Sequence, residues 1–140
     1  MLRSDPNEPI EIYFDVCFDF LDHCAKPVLV HCEAGMSRSA TMVIAWLMHR
    51  GQTLSEAYNY VIGKRSFIQP NNGFLFKLYQ LSEKLYPNDK DTILFIFNHF
   101  GVRGEERVED LEMATKFVNR FAECKFDWSL FWKNFSSFKI

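Results

Sequence analysis

The sequence predicts an α/β fold: one strand, a tight loop and a helix, then a helical bundle and an α-rich C-terminal appendage. Three observations predict it. The unbroken apolar run Val28-Leu29-Val30 suits a strand buried on both faces, as in a parallel sheet. From Ala40 to Arg50 a helical pattern is apolar nearly all round, and such a helix belongs inside a domain. Between the two lies His31-Cys32-Glu33-Ala34-Gly35-Met36-Ser37-Arg38-Ser39, a short loop with a thiol near its start and a guanidinium near its end.

The other elements follow in order. Met1 to Pro9 is polar and turn-like, and Asp5-Pro6-Asn7-Glu8 has the signature of a helix start: a capping residue, Pro in the first turn, Glu three positions on. Ile10, Phe14, Cys17, Phe18 and Leu21 make a helical stripe, which assigns Cys17 to core packing and leaves Asp15 and Asp19 solvated. Pro27 breaks the chain before the strand. Gly51 ends the apolar helix, and Thr53-Leu54-Ser55-Glu56 is a capping box for a helix carrying Leu54, Ala57, Tyr58, Val61 and Ile62. Lys64-Arg65 close that helix, where cations suit its negative end; a solvated basic tip and an attraction for a phosphorylated partner are both open readings. Pro70-Asn71-Asn72-Gly73-Phe74 opens a further helix, with Phe74, Leu78, Leu81 and Leu85 on one face and Pro87 beyond its end. Periodicity leaves Thr92 to Phe100 open between helix and strand. Leu111, Ala114, Thr115, Val118, Phe121 and Ala122 recur at helical spacing, and Asp127 suits a cap for a last helix with Trp128, Phe131, Trp132 and Phe135. So many aromatics must bury against something: a docked helical appendage is the first reading, a partner-binding surface the second.

Composition excludes several classes. The 140 residues carry a net charge of −2, which gives no reason to expect nucleic acid or an acidic membrane as partner. No apolar run approaches the ~18 residues of a membrane span, and the N-terminus lacks a signal-peptide pattern. The four cysteines, Cys17, Cys24, Cys32 and Cys124, have neither zinc-finger spacing nor disulfide-scaffold density. A reducing compartment is expected: the cytoplasm, with the nucleus as a further location.

The loop has a chemical logic. A strand, a tight turn and a helix N-terminus aim backbone N–H groups and the positive end of a helix dipole at one point. An ordinary thiol, with a pKa of about 8.5, is a poor nucleophile, but a helix N-terminus and nearby cations can bring it to roughly 3.5–7.5 and leave a standing thiolate at Cys32. The amides of Glu33, Ala34, Gly35, Met36, Ser37 and Arg38 can form a concave nest for the non-bridging oxygens of a phosphoryl group. Gly35 permits the backbone angles that a nest needs. Arg38 offers a planar fork to two oxygens, and Ser39 brings a hydroxyl near the sulfur to help the thiolate leave. A structural cysteine beside a surface arginine would require neither His31, Gly35 nor Ser39. No metal or cofactor is called for.

This stretch resembles the His-Cys-x5-Arg-Ser signature of the cysteine-dependent protein tyrosine phosphatases, closest to their dual-specificity branch. The resemblance continues through Ile44-Ala45-Trp46-Leu47-Met48, Glu56-Ala57-Tyr58 and Pro70-Asn71-Asn72-Gly73-Phe74, from about Asp5 to Leu85. Rhodanese-like phosphatases share the loop without the Pro-Asn-x-Gly-Phe stretch. Ser66 stands where relatives usually carry Pro, and Lys77 where they often carry Gln.

The resemblance implies site residues. Asp5, ahead of Tyr13-Phe14, would be the general acid that protonates the leaving oxygen, with a plain helix cap as the alternative. His31 would orient the loop and tune the thiolate, or serve as a core histidine. Asn71 would brace the loop, or only cap its helix. Cys32 would attack phosphorus in line and Asp5 would then activate water. With no lysine in the loop, a phosphoprotein is the expected substrate rather than an inositol lipid or an RNA end; tyrosine plus serine/threonine specificity is implied by the resemblance alone. Members of this branch have several strands and a helix ahead of the loop aspartate, and the chain opens almost at that aspartate. Residues 1–87 therefore resemble the C-terminal portion of the catalytic domain in an incomplete tyrosine-phosphatase-like fold, with 88–140 a mostly helical tail. Val28–Val30 would lack sheet neighbours unless Ile93 to Phe97 covered the gap. The alternative function is a weak or inactive phosphatase that binds phosphoproteins as a regulatory module.

Overall fold

Every element among the described residues is helical, which overturns the α/β class and its strand–loop–helix core. The computed structural model describes residues 9–25, 38–65, 70–101 and 111–123. The expected strand Val28–Val30 lies outside them, as do Asp5–Glu8 and the Asp127 cap. The stretch Ile93–Phe97, the one other candidate for a strand, is helical where it is described. A helix closes its own hydrogen bonds, whereas a strand needs a second strand, and the described residues contain none. The protein-tyrosine-phosphatase-like sheet is accordingly not part of the described fold.

The chain divides into two units, Met1–Pro87 and Asn88–Ile140. In the first, a 3-10 turn, Ile10–Tyr13, runs into α1, Phe14–Asp22. The predicted stripe faces inward: Ile10, Phe14 and Phe18 are buried, and Cys17 and Leu21 are half-buried. Asp15 and Asp19 are exposed, as expected, and so are Ile12, Val16 and Phe20 along the outer side.

The centre of this unit is α2, Arg38–His49, which packs against α1, against α3 (Leu54–Lys64) and against α4 (Asn72–Leu85). Three neighbours explain its apolar circumference. Ala40, Ile44, Ala45 and Met48 are buried, while Met42, Val43, Trp46 and Leu47 are half-covered. Each large side chain fully buried in this way contributes about 1.5–3 kcal/mol. From α4, Gly73 to Tyr79 are all buried, including the complete Phe74 and Leu78 side chains.

Local chemistry sets the helix ends. The Gln52 N–H donates to the Leu47 carbonyl and the Gly51 N–H to the Met48 carbonyl, both at 3.1 Å. This is a Schellman closure, and it requires the positive φ of +114° that Gly51 adopts. The Tyr86 hydroxyl also donates to the Met48 carbonyl at 3.1 Å, tying the end of α4 to the end of α2. The capping box at Thr53 forms as expected, with Glu56 N–H donating to Thr53 Oγ1 at 3.2 Å and Thr53 N–H to Glu56 Oε1 at 3.1 Å. Lys64 ends α3 with its ammonium 5.6 Å from the Tyr60 ring centre.

The second unit contains α5, Lys90–Ile96, a π-helical turn, Phe97–Gly101, and α6, Leu111–Glu123. Asp89 caps α5, accepting from the Thr92 N–H at 2.9 Å and the Thr92 hydroxyl at 2.8 Å. Phe97 and Phe117 meet edge to face at 5.4 Å, joined in the core by Ile96, Ala114 and Val118. No helix among the described residues is long and apolar enough to cross a membrane.

A β-carbon at Gly51 would meet nothing within 4 Å, so substitution there has a purely conformational effect. Gly51→Ala is expected to lower stability by about 1–2 kcal/mol, the penalty for a left-handed L-residue, read from the urea midpoint at unchanged slope.

Candidate active site

The loop chemistry has a described boundary at the start of α2. Arg38 is the first residue of that helix, so the positive end of the helix dipole falls directly after residues 32–37. Ser39 and Thr41 are buried in the first turn, and Arg38 is half-buried. No acidic residue occupies this turn, which leaves the local field favourable to an anion. Cys32, His31, Asp5 and the nest residues Glu33, Ala34, Gly35, Met36 and Ser37 lie outside the described residues.

Asn71 stands at the N-cap of α4, its side-chain oxygen accepting from the Phe74 N–H at 2.9 Å. That is the capping role. The loop it would brace lies outside the described residues. Cys17 behaves as a core group: burial raises its thiol above the ordinary 9.0, which suppresses the thiolate.

Two polar ties escaped the sequence reading. The first is Asp22, at the end of α1, which accepts from Trp46 Nε1 at 3.0 Å and Arg50 at 3.4 Å, with His49 Nε2 also 3.0 Å away. Trp46, His49 and Arg50 share one side of α2 at three- and four-residue spacing, a row that only a neighbouring helix makes meaningful. His49 also stacks on Phe18, ring centres 4.5 Å apart, and Arg50 lies over Trp46 at 5.4 Å. Asp22 therefore sits at the C-terminal end of α2, about 16 Å along the helix from Arg38.

The second tie is Lys77 to Glu11, at 2.9 Å. Lys77 is buried within the apolar face of α4, its side chain 7% exposed. The sequence held the signal: Lys77 lies three residues after Phe74 and four before Leu81, on the inward stripe. Its partner, 66 positions earlier, was not inferable from spacing.

Comparison with known proteins agrees with the loop. A model of the dual specificity phosphatase catalytic domain matches residues 2–84. Dual specificity protein phosphatase 1 of Arabidopsis thaliana is 42% identical over 92 residues, covering 63% of this chain and 46% of that protein. Dual specificity protein phosphatase 14 of Homo sapiens is 39% identical over 105 residues, covering 72% of this chain and 52% of that protein. Dual specificity protein phosphatase 5 of Homo sapiens is 42% identical over 84 residues, 56% of this chain and 22% of that protein. The chain thus spans about half the length, or less, of these relatives.

Asp22 carries a testable electrostatic signature. Its carboxyl is held below the ordinary 3.8, first by the Trp46 hydrogen bond, then by His49. The folded form therefore binds this proton more weakly than the unfolded chain. The tie is fully present above the unfolded value and is lost as pH falls through the lowered folded one. Asp22→Asn should melt below the parent protein at pH 7, with the difference closing as thermal melts are carried down through and below pH 3.8.

Proposed function

Because the chain belongs to the dual specificity phosphatase catalytic-domain family, we propose that it hydrolyses phosphate esters of phosphoproteins through a phosphocysteine on Cys32. The observation that carries this reading is that α2 begins at Arg38, the residue closing the loop that Cys32 opens. A helix N-terminus, a guanidinium and a buried serine are then gathered at the downstream end of a six-residue span from a thiol. The family name of the relatives supports action on phosphotyrosine and on phosphoserine or phosphothreonine.

The chemistry runs in two steps. The Cys32 thiolate attacks phosphorus in line, forming an S–P bond as the P–O bond to the protein hydroxyl breaks. The loop amides and Arg38 stabilise the equatorial oxygens, where the transition state concentrates charge. Asp5 delivers its proton to the departing oxygen, which matters most for a serine or threonine alkoxide. The Asp5 carboxylate then takes a proton from water as it attacks the phosphocysteine, and the Ser39 hydroxyl eases departure of the thiolate. His31 orients the loop, and Asn71 adds support from the α4 cap. A nucleophile that works as a thiolate suits a reducing compartment such as the cytoplasm.

A second reading keeps phosphate capture at the start of α2 without efficient turnover. On this reading the chain captures phosphoproteins and turns them over poorly.

One set of measurements separates the two. After a cooperative melt establishes folding, the chain is expected to hydrolyse a nitroaryl phosphate in a vanadate-sensitive manner. Cys32→Ser should abolish turnover, and Arg38→Lys should lower kcat about 100-fold or more, because an ammonium cannot reproduce the bidentate fork. Vanadate or phosphopeptide binding without turnover would establish the binding module instead; a rate unchanged in Cys32→Ser would reject the enzyme.

A further inference from the structure

Helix α1 and the turn before it carry apolar residues on two sides. Ile10, Phe14 and Phe18 are buried, as the packing of α1 on α2 requires. On the outer side Ile12, Val16 and Phe20 stand 61%, 71% and 61% exposed, with Tyr13 beside them. One exposed apolar side chain is ordinary, but a helix that is apolar on both sides has a second face to bury. Ile12, Val16 and Phe20 recur at four-residue spacing, so they form one row about 12 Å long. A contiguous apolar row rimmed by polar groups marks a contact surface.

Charge decides what fits it. Asp15 and Asp19 lie along one flank of the row, both exposed. The other carboxylates of this stretch are engaged already, Asp22 with α2 and Glu11 with Lys77. His23 lies 3.3 Å from Asp19, and residues 9–25 contain neither lysine nor arginine. A second copy of this face therefore brings no permanent cation. Laid antiparallel about a two-fold axis, it sets Asp15 opposite Asp19 of the copy; laid parallel, it sets the carboxylates against the apolar side. Both arrangements desolvate carboxylates without a counter-charge. An anionic bilayer fits no better, since helices that lie on one carry lysine and arginine along their polar side. A segment with an apolar row and a basic flank meets both demands at once.

We propose that the outer face of α1 is a docking surface for a basic amphipathic helix of a partner protein. The partner's apolar row packs along Ile12, Val16 and Phe20, and its lysines or arginines, three or four residues apart, pair with Asp15 and Asp19. A face of little more than two helical turns is smaller than the ~800 Å² per partner of a standard interface, so the contact is transient. It involves no residue of the loop and is independent of turnover.

The test uses the full chain and a labelled peptide of about 18 residues, built of leucine, lysine and alanine, with leucines at i, i+3, i+4 and i+7 and lysines along one flank. Fluorescence anisotropy should give a Kd on the order of 10–100 µM, and a scrambled peptide of the same composition should bind at least about 10-fold more weakly. Val16→Ser/Phe20→Ser should weaken binding at least about 10-fold and keep the melting temperature within about 2 °C, because both side chains are exposed. Asp15→Lys/Asp19→Lys should lose the lysine peptide and gain its glutamate counterpart, a swap that a merely adhesive face would not follow.

Binding both the lysine peptide and its scrambled form alike, or neither, overturns the proposal. So does a serine variant that binds like the parent, or a charge-reversed variant that still prefers lysine. A serine variant whose melting temperature falls beyond the 2 °C margin shows a face covered within the chain and rejects the partner helix. Self-association of the parent on sedimentation, abolished in the serine variant, assigns the face to a second copy instead. Serine-sensitive binding to phosphatidylcholine–phosphatidylserine vesicles assigns it to a membrane, and either result rejects the proposal.

Discussion

The first unit depends on one constraint: α2 has to bury most of its circumference while leaving its N-terminal end available to the loop before it. Burial all round requires neighbours on several sides, and α1, α3 and α4 provide them. Ile44, Ala45 and Met48 satisfy the lateral demand. The axial demand is met at the far end, where Gly51 closes the backbone and Tyr86 reaches the Met48 carbonyl. With lateral contacts and C-terminus both secured, the first turn at Arg38 and Ser39 has a defined place and direction.

Polar ties then orient what hydrophobic burial only collects. Apolar contact is non-directional, so α1 could slide or rotate on α2 at little cost. Asp22, engaging Trp46, Arg50 and His49, selects one arrangement. Lying at the surface, its pairs are screened by water and contribute little energy. Glu11 and Lys77 do the corresponding work between the first turn and α4 in a drier setting, where the net energy is again small and the geometric demand is larger.

The helices of the first unit were legible because each announces itself locally. Thr53 and Glu56 are three residues apart and cap each other, and Asn71 caps the helix it precedes. The stripe through Ile10, Phe14 and Phe18 turned inward where its period placed it. Of the site, Arg38 and Ser39 were read as the end of the loop and instead belong to the first turn of the helix expected from Ala40, and residues 5 and 31–37 lie outside the described residues. The strand expected at Val28–Val30 was read from three apolar residues, and such a run states burial without stating a partner. For Ile93 to Phe97 period could not choose, and the Asp89 cap with the Phe97–Phe117 contact accompanies the helix.

By itself, the sequence determined the helix caps at Thr53 and Asn71 and membership of the dual specificity phosphatase family. These are short-range properties: a cap spans three residues, a helical stripe repeats within a turn, and the loop signature is contiguous. Only the tertiary structure decided that the described chain is helical, that Asp22 ties α1 to α2, and that Lys77 meets Glu11. A backbone hydrogen bond between strands or an ion pair across 66 positions depends on which segments the fold brings together, and no local pattern encodes that choice.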